Sequence, residues 1–289
     1  MKLNALCVLY MQSPEWGALR PNSRRIYEYG MTKFGKLMKR DADTITRPQV
    51  LDLRDELFHQ RGVCRITLAA LNNVLKFGYD RGHVKMNHAA NMRNMPKPKP
   101  FKRWSENEVD RFLLNSPVHL KRAVMLALFT GQRRSDLIRL RWDQYDGRFI
   151  HLVQTKTGKE LSIPVHPVLG HELALMQDER RFTTGKGRKA LCPYILVNTY
   201  YDPWTDRHLT RSISTHSRSL DIADRQLHGI RKTTCAKLAE IGCTPHEIAS
   251  ITGQSLQEVE HYTREASQKV MATNAMKRWE DVGNSPDGV

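Results

Sequence analysis

The chain has 289 residues, 40% of them hydrophobic, and a formal net charge of +16 from 46 Lys and Arg against 30 Asp and Glu. Such a composition excludes wholesale disorder, and the length allows one large domain or two ordinary ones. So large a positive surplus favours a polyanionic partner such as nucleic acid, although solubility alone is the simpler explanation.

The N-terminal run MKLNALCVLYMQSPEW is too short to span a membrane and lacks a small-residue cleavage site, so it predicts the first helix of a soluble domain. The cysteines are odd in number, widely spaced and without a CxxC pair. This pattern argues for free thiols in a reducing compartment and against a disulfide framework or a zinc site. They are Cys7, Cys64, Cys192, Cys235 and Cys243.

Helical periodicity dominates the first third of the chain. Apolar residues recur on one helix face in three segments: 23–39, 48–59 and 66–79. Gly62 and Gly82 punctuate these segments. Residues 1–95 are therefore predicted to form a small helical domain.

A segment rich in proline and lysine follows, MPKPKPFKRW. Alternating prolines remove backbone donors and keep the preceding residues extended, while the lysines keep the segment solvated. Residues 96–103 are therefore predicted to be an interdomain linker.

Helices and one hairpin are predicted beyond the linker. Ser105 followed by Glu108 is a capping box at a helix start, and KRAVMLALFTG belongs to a second helix. RFIHLVQTKTGKELSIPV contains two short β-rich runs around a turn, which predicts a hairpin. Three further helices are expected, at 226–241, 245–252 and 256–279. Gly242 and Gly253 stand where helices should stop, and residues 280–289 are expected to be a disordered tail.

Cationic side chains interrupt two of these regular segments. In FTGQRRSDLIRLRW an apolar helix leads into Arg133 and Arg134. Asp136 lies three residues after Arg133 and could hold its guanidinium, but an arginine that satisfies helix-end carbonyls is an equal alternative. Lys156 in the hairpin turn is either a solvated turn residue or a flexible proton donor.

Two later segments add an imidazole, a guanidinium and a phenol. In LHGIRKTTCAKLAEIG, His228 and Arg231 are three residues apart and share one helix face. His can accept a proton near neutral pH and Arg can form a fork to phosphate, although a capping histidine beside an exposed arginine is the alternative. Tyr262 has an unperturbed pKa of about 10 and would need help as a nucleophile. A single tyrosine at helical spacing more often packs.

The order of these segments is more informative than any one of them. TGQRRSDLIRLRW, TKTGKELSIPV, LHGIRKTTCAKLAEIG and ITGQSLQEVEHYT resemble, in order, the signature boxes of the tyrosine recombinases, the phage-integrase family. The resemblance implies a mainly α fold with a small β-hairpin. It implies a helical, SAM-like core DNA-binding domain over residues 1–95 and an α+β catalytic domain over residues 104–279.

The resemblance also implies a mechanism of site-specific DNA recombination without cofactor, metal or ATP. Arg133 and Arg231 match the two arginines that clamp the phosphate. His228 matches the base, Lys156 the general acid, and Tyr262 the nucleophile that forms a 3′-phosphotyrosine link.

One position departs from the family pattern. Gln254 stands where the family most often has His, so the phosphate keeps an amide donor but loses a charged one. His246 or His261 could replace the missing group, although this is the weaker alternative. The resemblance further implies that Asp136 supports the first arginine, with Lys159 a less favoured substitute for the hairpin lysine.

Double-stranded DNA is the partner that the resemblance implies. The helix at 66–79 is a candidate for major-groove contact, with Arg65, Lys76 and Arg81 as DNA-binding candidates, although each could be a solvated surface charge. A homotetramer on DNA is expected, without membrane contact, in the cytoplasm and nucleoid of a bacterial or phage-infected cell. The amphipathic segment TREASQKVMATNAMKRW could dock on a neighbour or on its own domain.

Two other functions remain open, a DNA-binding relic that no longer cuts and a relative of the type IB topoisomerases that relaxes supercoils. Gln254 favours the relic, while the intact set of other site residues argues against it. The chain before residue 23 is too short for an arm-binding domain. A two-domain recombinase of a prophage or another mobile element is therefore expected, or a chain that lost its beginning.

Overall fold

The computed structural model describes residues 1–93, 95, 101–182, 192–222, 225–263 and 268–283. These residues are mainly helical and include one two-stranded antiparallel sheet, so the predicted fold class is confirmed. The chain divides into two compact units, Met1–Pro100 and Phe101–Val289. Most of the predicted linker, residues 96–100, lies outside the described residues.

Helix α5 organises the first unit. The α-helices of this unit are α1 Leu3–Met11, α2 Pro14–Ala18, α3 Pro21–Met31, α4 Arg47–Glu56 and α5 Arg61–Asp80, with 3-10 turns at Gly35–Lys39 and Ala42–Thr44. The predicted apolar positions Leu68, Leu71 and Leu75 are buried on α5, which packs against α1, α3 and α4. A side chain at Gly30 of α3 would collide with the Ile66 carbonyl, so this glycine permits the close approach of α3 and α5.

Two predicted helix boundaries in this unit are wrong. The helix expected over 23–39 ends at Met31, and Gly35, with a left-handed φ of 54°, begins a separate 3-10 turn. The last helix begins earlier than predicted, at Arg61, so Gly62 lies inside its first turn and does not end a helix. Apolar spacing identified the buried faces, but it did not locate the breaks.

In the second unit, helices pack around a β-hairpin. Its α-helices are α6 Glu106–Asn115, α7 Val118–Thr130, α8 Arg134–Leu137, α9 Pro167–Phe182, α10 Asp206–Ser219, α11 Leu227–Glu240, α12 Pro245–Thr252, α13 Leu256–Thr263 and α14 Gln268–Gly283. The strands are β1 Phe149–Val153 and β2 Glu160–Pro164, and a 3-10 turn spans Trp142–Gln144. The predicted hairpin is present, and Ile150 pairs with Ile163 on its buried face. The predicted capping box at the start of α6 is also present.

Other predictions for this unit need correction. Helices α9 and α10 were not predicted. Of the helix expected over 256–279, the described residues Leu256–Thr263 (α13) and Gln268–Gly283 (α14) are helical, and the residues between them lie outside the described part. Helix α14 continues to Gly283, so the predicted tail begins too early, and residues 284–289 are not described. Gly242 and Gly253 adopt φ of 94° and 68° where helices stop, as predicted.

No helix within the described ranges is long and apolar enough to cross a membrane.

Helix α11 is buried on several faces and packs against α7, α12 and α13. Its start is crossed by an incoming segment, defined as Lys102, Arg103 and Trp104. The Trp104 backbone N–H donates to Thr233 Oγ1 at 2.9 Å, and the Thr233 hydroxyl lies 2.8 Å from the Trp104 carbonyl oxygen. Gly229 lies directly beneath the incoming segment, and a Cβ there would collide with the Lys102 carbonyl and contact the Trp104 ring.

We expect Gly229→Ala to lower the free energy of unfolding by about 1–3 kcal/mol, because the added methyl group overpacks a fixed backbone crossing. Gly170→Ala is a matched control, since Gly170 is also helical and its Cβ would lie 3.6 Å from the nearest atom. That substitution should be neutral or stabilising by up to about 1 kcal/mol. Urea unfolding measures both, and equal stabilities of the two variants would contradict the close crossing.

Candidate active site

Two helices of the second unit end in the same tripeptide, Thr-Gly-Gln, at residues 130–132 and 252–254. Both glycines are left-handed, with φ of 62° at Gly131 and 68° at Gly253. In each copy the threonine hydroxyl donates to the carbonyl four residues earlier. Helices α7 and α12 therefore end with the same local geometry.

The side chain of Arg231 joins these two helix ends. Its Nη1 donates to the carbonyl oxygens of Gly131 at 2.6 Å and Thr252 at 2.8 Å. The residue is only 2% exposed, and its Nη2 has no hydrogen-bond partner among the described residues. Burial, and then the charge of Arg133, lower its pKa to about 10, so it stays protonated at neutral pH. A buried guanidinium with one unsatisfied nitrogen is suited to bind an anion.

Two buried glutamines connect the helix ends to the hairpin. Gln154 Nε2 donates to Gln132 Oε1 at 2.7 Å and to the Thr252 carbonyl at 2.9 Å. Its Oε1 accepts a hydrogen bond from Arg133 Nη1 at 2.9 Å. The side chain of Arg133, which precedes α8, is therefore held beside Arg231 by an amide network that the sequence analysis did not predict.

The expectation that Asp136 holds Arg133 is wrong. No ion pair joins Arg133 to Asp136 in the part of the chain that the structure describes. Arg133 is the N-cap of α8 and has an extended backbone, with φ −70° and ψ 147°, so the helical spacing assumed for the pair does not apply. One oxygen of Asp136 instead accepts from the Thr155 backbone N–H at 2.9 Å, beside Lys156. Asp136 thus fixes the hairpin turn.

The two hairpin lysines differ in their surroundings. Lys159 Nζ lies 3.5 Å from the Ala249 carbonyl of α12. Lys156 is exposed, and its charge contributes to lowering the pKa of His228. Of the two hairpin lysines, Lys156 is therefore the one whose charge acts on the imidazole.

His228 lies at the start of α11, and its ring centroid is 4.9 Å from that of Phe101. Burial is the main cause that lowers its pKa, and neighbouring cations lower it further. These cations are Arg231, Lys232, Arg133 and Lys156. The imidazole is consequently neutral at neutral pH and able to accept a proton.

Tyr262 lies on α13 and is half-buried against a small cluster that includes Cys235 and Val259. Burial and then the charge of Glu258 raise its pKa, while Arg231 acts in the opposite direction. The side chain is thus a neutral phenol at neutral pH. The ring packs in this cluster and also lies near the cations. The interpretation of Tyr262 as a packed aromatic is therefore compatible with its interpretation as a nucleophile.

Lys232 was missed by the sequence analysis. It is 6% exposed, and its Nζ lies 5.0 Å from the ring centroid of Tyr262, a cation–π distance. The sequence feature that could have identified Lys232 is its place next to Arg231 inside an otherwise buried helix. Gln132 was also missed, and the repeated Thr-Gly-Gln tripeptide could have identified it.

Gln254 is 4% exposed, and its Oε1 accepts a hydrogen bond from the Cys235 thiol. The two histidines considered as replacements, His246 and His261, are both exposed. Gln254, the residue that differs from the family pattern, is therefore itself buried in the site, whereas neither histidine is.

The DNA-binding candidates of the first unit fall into two groups. Arg65 and Lys76 are exposed on α5, about three turns apart and so on nearly the same face. Arg81 instead pairs with Glu15 at 2.8 Å and lies 4.0 Å from the Phe77 ring centroid. Its side chain thus stabilises the unit itself.

The fold and the site define a mainly helical protein in which Tyr262 lies near a buried arginine whose Nη2 has no partner among the described residues. Residues 102–269 match the profile of the phage integrase family. This match covers more than half of the chain, so the protein belongs to the phage integrase family, and the predicted membership of the tyrosine recombinases is confirmed.

Curated relatives match over a shorter segment. The integrase of Escherichia phage HK022 is 30% identical over 104 residues, which are 35% of this chain and 29% of the relative. The integrase of Escherichia phage lambda is 29% identical over 106 residues, with the same shares. The chain therefore matches less than a third of the length of these relatives.

Solved structures match over most of the chain. Lambda integrase residues 75–356, a dimer bound to a COC′ core site, has a TM-score of 0.78 at 18% identity and covers 91% of this chain and 95% of that chain. The Tn1549 transposon integrase in complex with transposon right-end DNA has a TM-score of 0.72 at 16% identity, with coverage of 96% and 99%. These similarities establish the fold.

Proposed function

We propose that the protein is a site-specific DNA recombinase that cleaves and rejoins strands through a 3′-phosphotyrosine intermediate on Tyr262. The observation that carries this proposal is the buried guanidinium of Arg231. Its Nη2 is unpartnered among the described residues, and its charge acts on the pKa of both Tyr262 and His228.

The arginines supply the electrostatic part of the mechanism. Arg231 and Arg133 would bind the non-bridging oxygens of the scissile phosphate and offset the charge that develops at phosphorus. Because Arg231 is fixed by two carbonyl oxygens, it needs little reorganisation during the reaction. Among the described residues, Arg133 is held by a single hydrogen bond from its Nη1 to Gln154 Oε1.

Proton transfers complete the proposed step. Tyr262 Oη forms the bond to phosphorus while the bond from phosphorus to the 5′ oxygen breaks. The phenol proton passes to the neutral imidazole of His228, and the ammonium of Lys156 protonates the departing 5′ oxygen. The energy of the phosphodiester is kept in the tyrosine link, so a 5′ hydroxyl can reverse the step without ATP or a metal.

Double-stranded DNA is the proposed substrate for both units. Residues 1–95 would act as the core DNA-binding domain, residues 96–103 as the linker and residues 104–279 as the catalytic domain. The net charge of +16 supports binding mainly through phosphates. Lambda integrase is described as a dimer on a core site and as a tetramer on a Holliday junction. We infer a homotetramer on DNA for this chain as well, within the bacterial or phage-infected cytoplasm.

We expect the double substitution Arg65→Ala and Lys76→Ala to weaken DNA binding. Both cations are exposed on nearly the same face of α5, where they can reach phosphates. The slope of log affinity against log salt should fall by about 1 for each phosphate that the variant no longer binds. Arg81→Ala is the comparison and should leave the affinity near the wild-type value, since its guanidinium is already engaged. A gel-shift titration measures these affinities. Unchanged binding of the double variant at low and moderate salt would rule out this surface.

A nicked suicide substrate tests the recombinase proposal. The wild-type protein should form a DNA adduct that survives denaturing detergent, and peptide mapping should place the DNA on Tyr262. A DNA-binding relic, which Gln254 would favour, binds the same substrate without an adduct. Relaxation of plasmid DNA without site preference would instead support the topoisomerase alternative.

A further inference from the structure

Gln254 is held by a neighbouring thiol. Its Oε1 lies 2.8 Å from Sγ of Cys235, which has no exposed surface. Burial raises the pKa of this thiol to about 11, so the sulfur keeps its proton at neutral pH. A protonated thiol donates a hydrogen bond, so it selects the carbonyl oxygen of the amide over the NH₂ group.

The same segment is held by Arg231. Cys235 lies one turn after Arg231 on α11, and the two side chains therefore share a helix face. Arg231 Nη1 donates to the Thr252 carbonyl, two residues before Gln254. Arg231 Nη2 is unpartnered within the described chain, and the amide of Gln254 uses its oxygen, not its NH₂ group, in the bond to Cys235. Two N–H donors in one buried region match the oxygens of one anion.

We propose that Cys235 is a positioning residue that orients the Gln254 amide, so that its NH₂ group can donate to the phosphate bound by Arg231. This role rests on the proposed recombinase function. Gln254 then acts as a neutral hydrogen-bond donor, and glutamine at this position is a working variant of the site. No proton transfer is assigned to either residue.

A purely structural role for Cys235 makes different predictions. The thiol also belongs to a small buried cluster with Ala239, Ile248 and Val259. If packing were its only role, a polar serine would be no better tolerated than alanine. The effect of substitution would also be independent of the residue at position 254. Orientation of the amide requires a donor, so serine should preserve it and alanine should not.

The experiment measures the initial rate of adduct formation on the suicide substrate. Cys235→Ala should slow the reaction about three- to tenfold, the range that the loss of one neutral hydrogen bond allows. Cys235→Ser should stay within about twofold of the wild-type rate. In a Gln254→His background there is no amide to orient, so Cys235→Ala should not slow the reaction further. Cys243→Ala is the matched control, because Cys243 lies near the same cluster without contacting Gln254.

Three results would overturn the positioning role. Adduct formation by Cys235→Ala at the wild-type rate, an equal loss in Cys235→Ser, or an equal loss in the histidine background would each do so while leaving the recombinase proposal intact. Failure of the wild-type protein to form any adduct would overturn both. If Cys235→Ala loses its cooperative unfolding transition, the comparison becomes Cys235→Ser against Cys235→Val, where serine should retain the rate and valine should lose it.

Discussion

Tyr262→Phe should form no covalent DNA adduct while still binding DNA. The substitution removes only the Oη atom, so no oxygen remains to attack phosphorus. The phenyl ring keeps its packing beside Val259 and its place near the Lys232 ammonium. We therefore expect DNA affinity within about twofold of wild type, and stability within about 1 kcal/mol, as for the loss of one hydroxyl.

Denaturing gels of the suicide-substrate reaction measure the adduct, and gel shift measures binding. Tyr200→Phe is the control, because Tyr200 is a 72% exposed tyrosine in the same unit and should leave adduct formation unchanged. An adduct formed by Tyr262→Phe would mean that another residue attacks the DNA, and the proposed chemistry would have to be abandoned.

Arg231→Lys should slow adduct formation about a hundred- to a thousandfold, the usual effect of removing one preorganised donor from a developing anion. Lysine keeps the positive charge but has no planar fork. It cannot hold the Gly131 and Thr252 carbonyls and still present a second nitrogen to the phosphate. The buried carbonyls also lose their shared donor, so we expect a loss of about 1–3 kcal/mol in stability.

Separate measurements distinguish these two effects. Urea unfolding gives the stability, and the adduct rate is measured well below the unfolding temperature of the variant. Arg134→Lys is the matched control, since Arg134 forms a surface ion pair with Asp206. Arg134→Lys should lower the free energy of unfolding by no more than about 1 kcal/mol and leave the adduct rate unchanged. A wild-type rate for Arg231→Lys would show that the buried guanidinium has only a structural role.

The parts of the fold with strong local patterns could be predicted from sequence. Two short β-rich runs around a turn predicted the hairpin, and apolar spacing predicted α5. Helix α10, DRHLTRSISTHSRS, was missed because it is polar and buries only Leu209, Ile213 and Ser217. Its buried face holds only two apolar residues, too few for apolar spacing alone to identify the helix.

The candidate site likewise has residues that the sequence predicted and connections that it did not. The order of the sequence boxes brought together the residues that the structure finds near Arg231. The connections between them could not be predicted, because they are hydrogen bonds between distant segments. Gln154 to Thr252 spans 98 positions and Asp136 to Thr155 spans 19, and no local propensity specifies either pairing. The incorrect pairing of Arg133 with Asp136 came from assuming a helix one residue too early.

The two bonds of the Arg231 guanidinium also bear on the order of folding. They join Arg231 to positions 100 and 21 residues away in the chain. Contacts that close long loops form late, because chain entropy must be lost before they contribute. Helix α7 and the hairpin can form before the ribosome has released residue 252, but the guanidinium cannot yet bridge both helix ends. A nascent chain that ends before residue 252 therefore lacks the bridge between the two helix ends, and the proposed DNA cleavage would await a completed second unit.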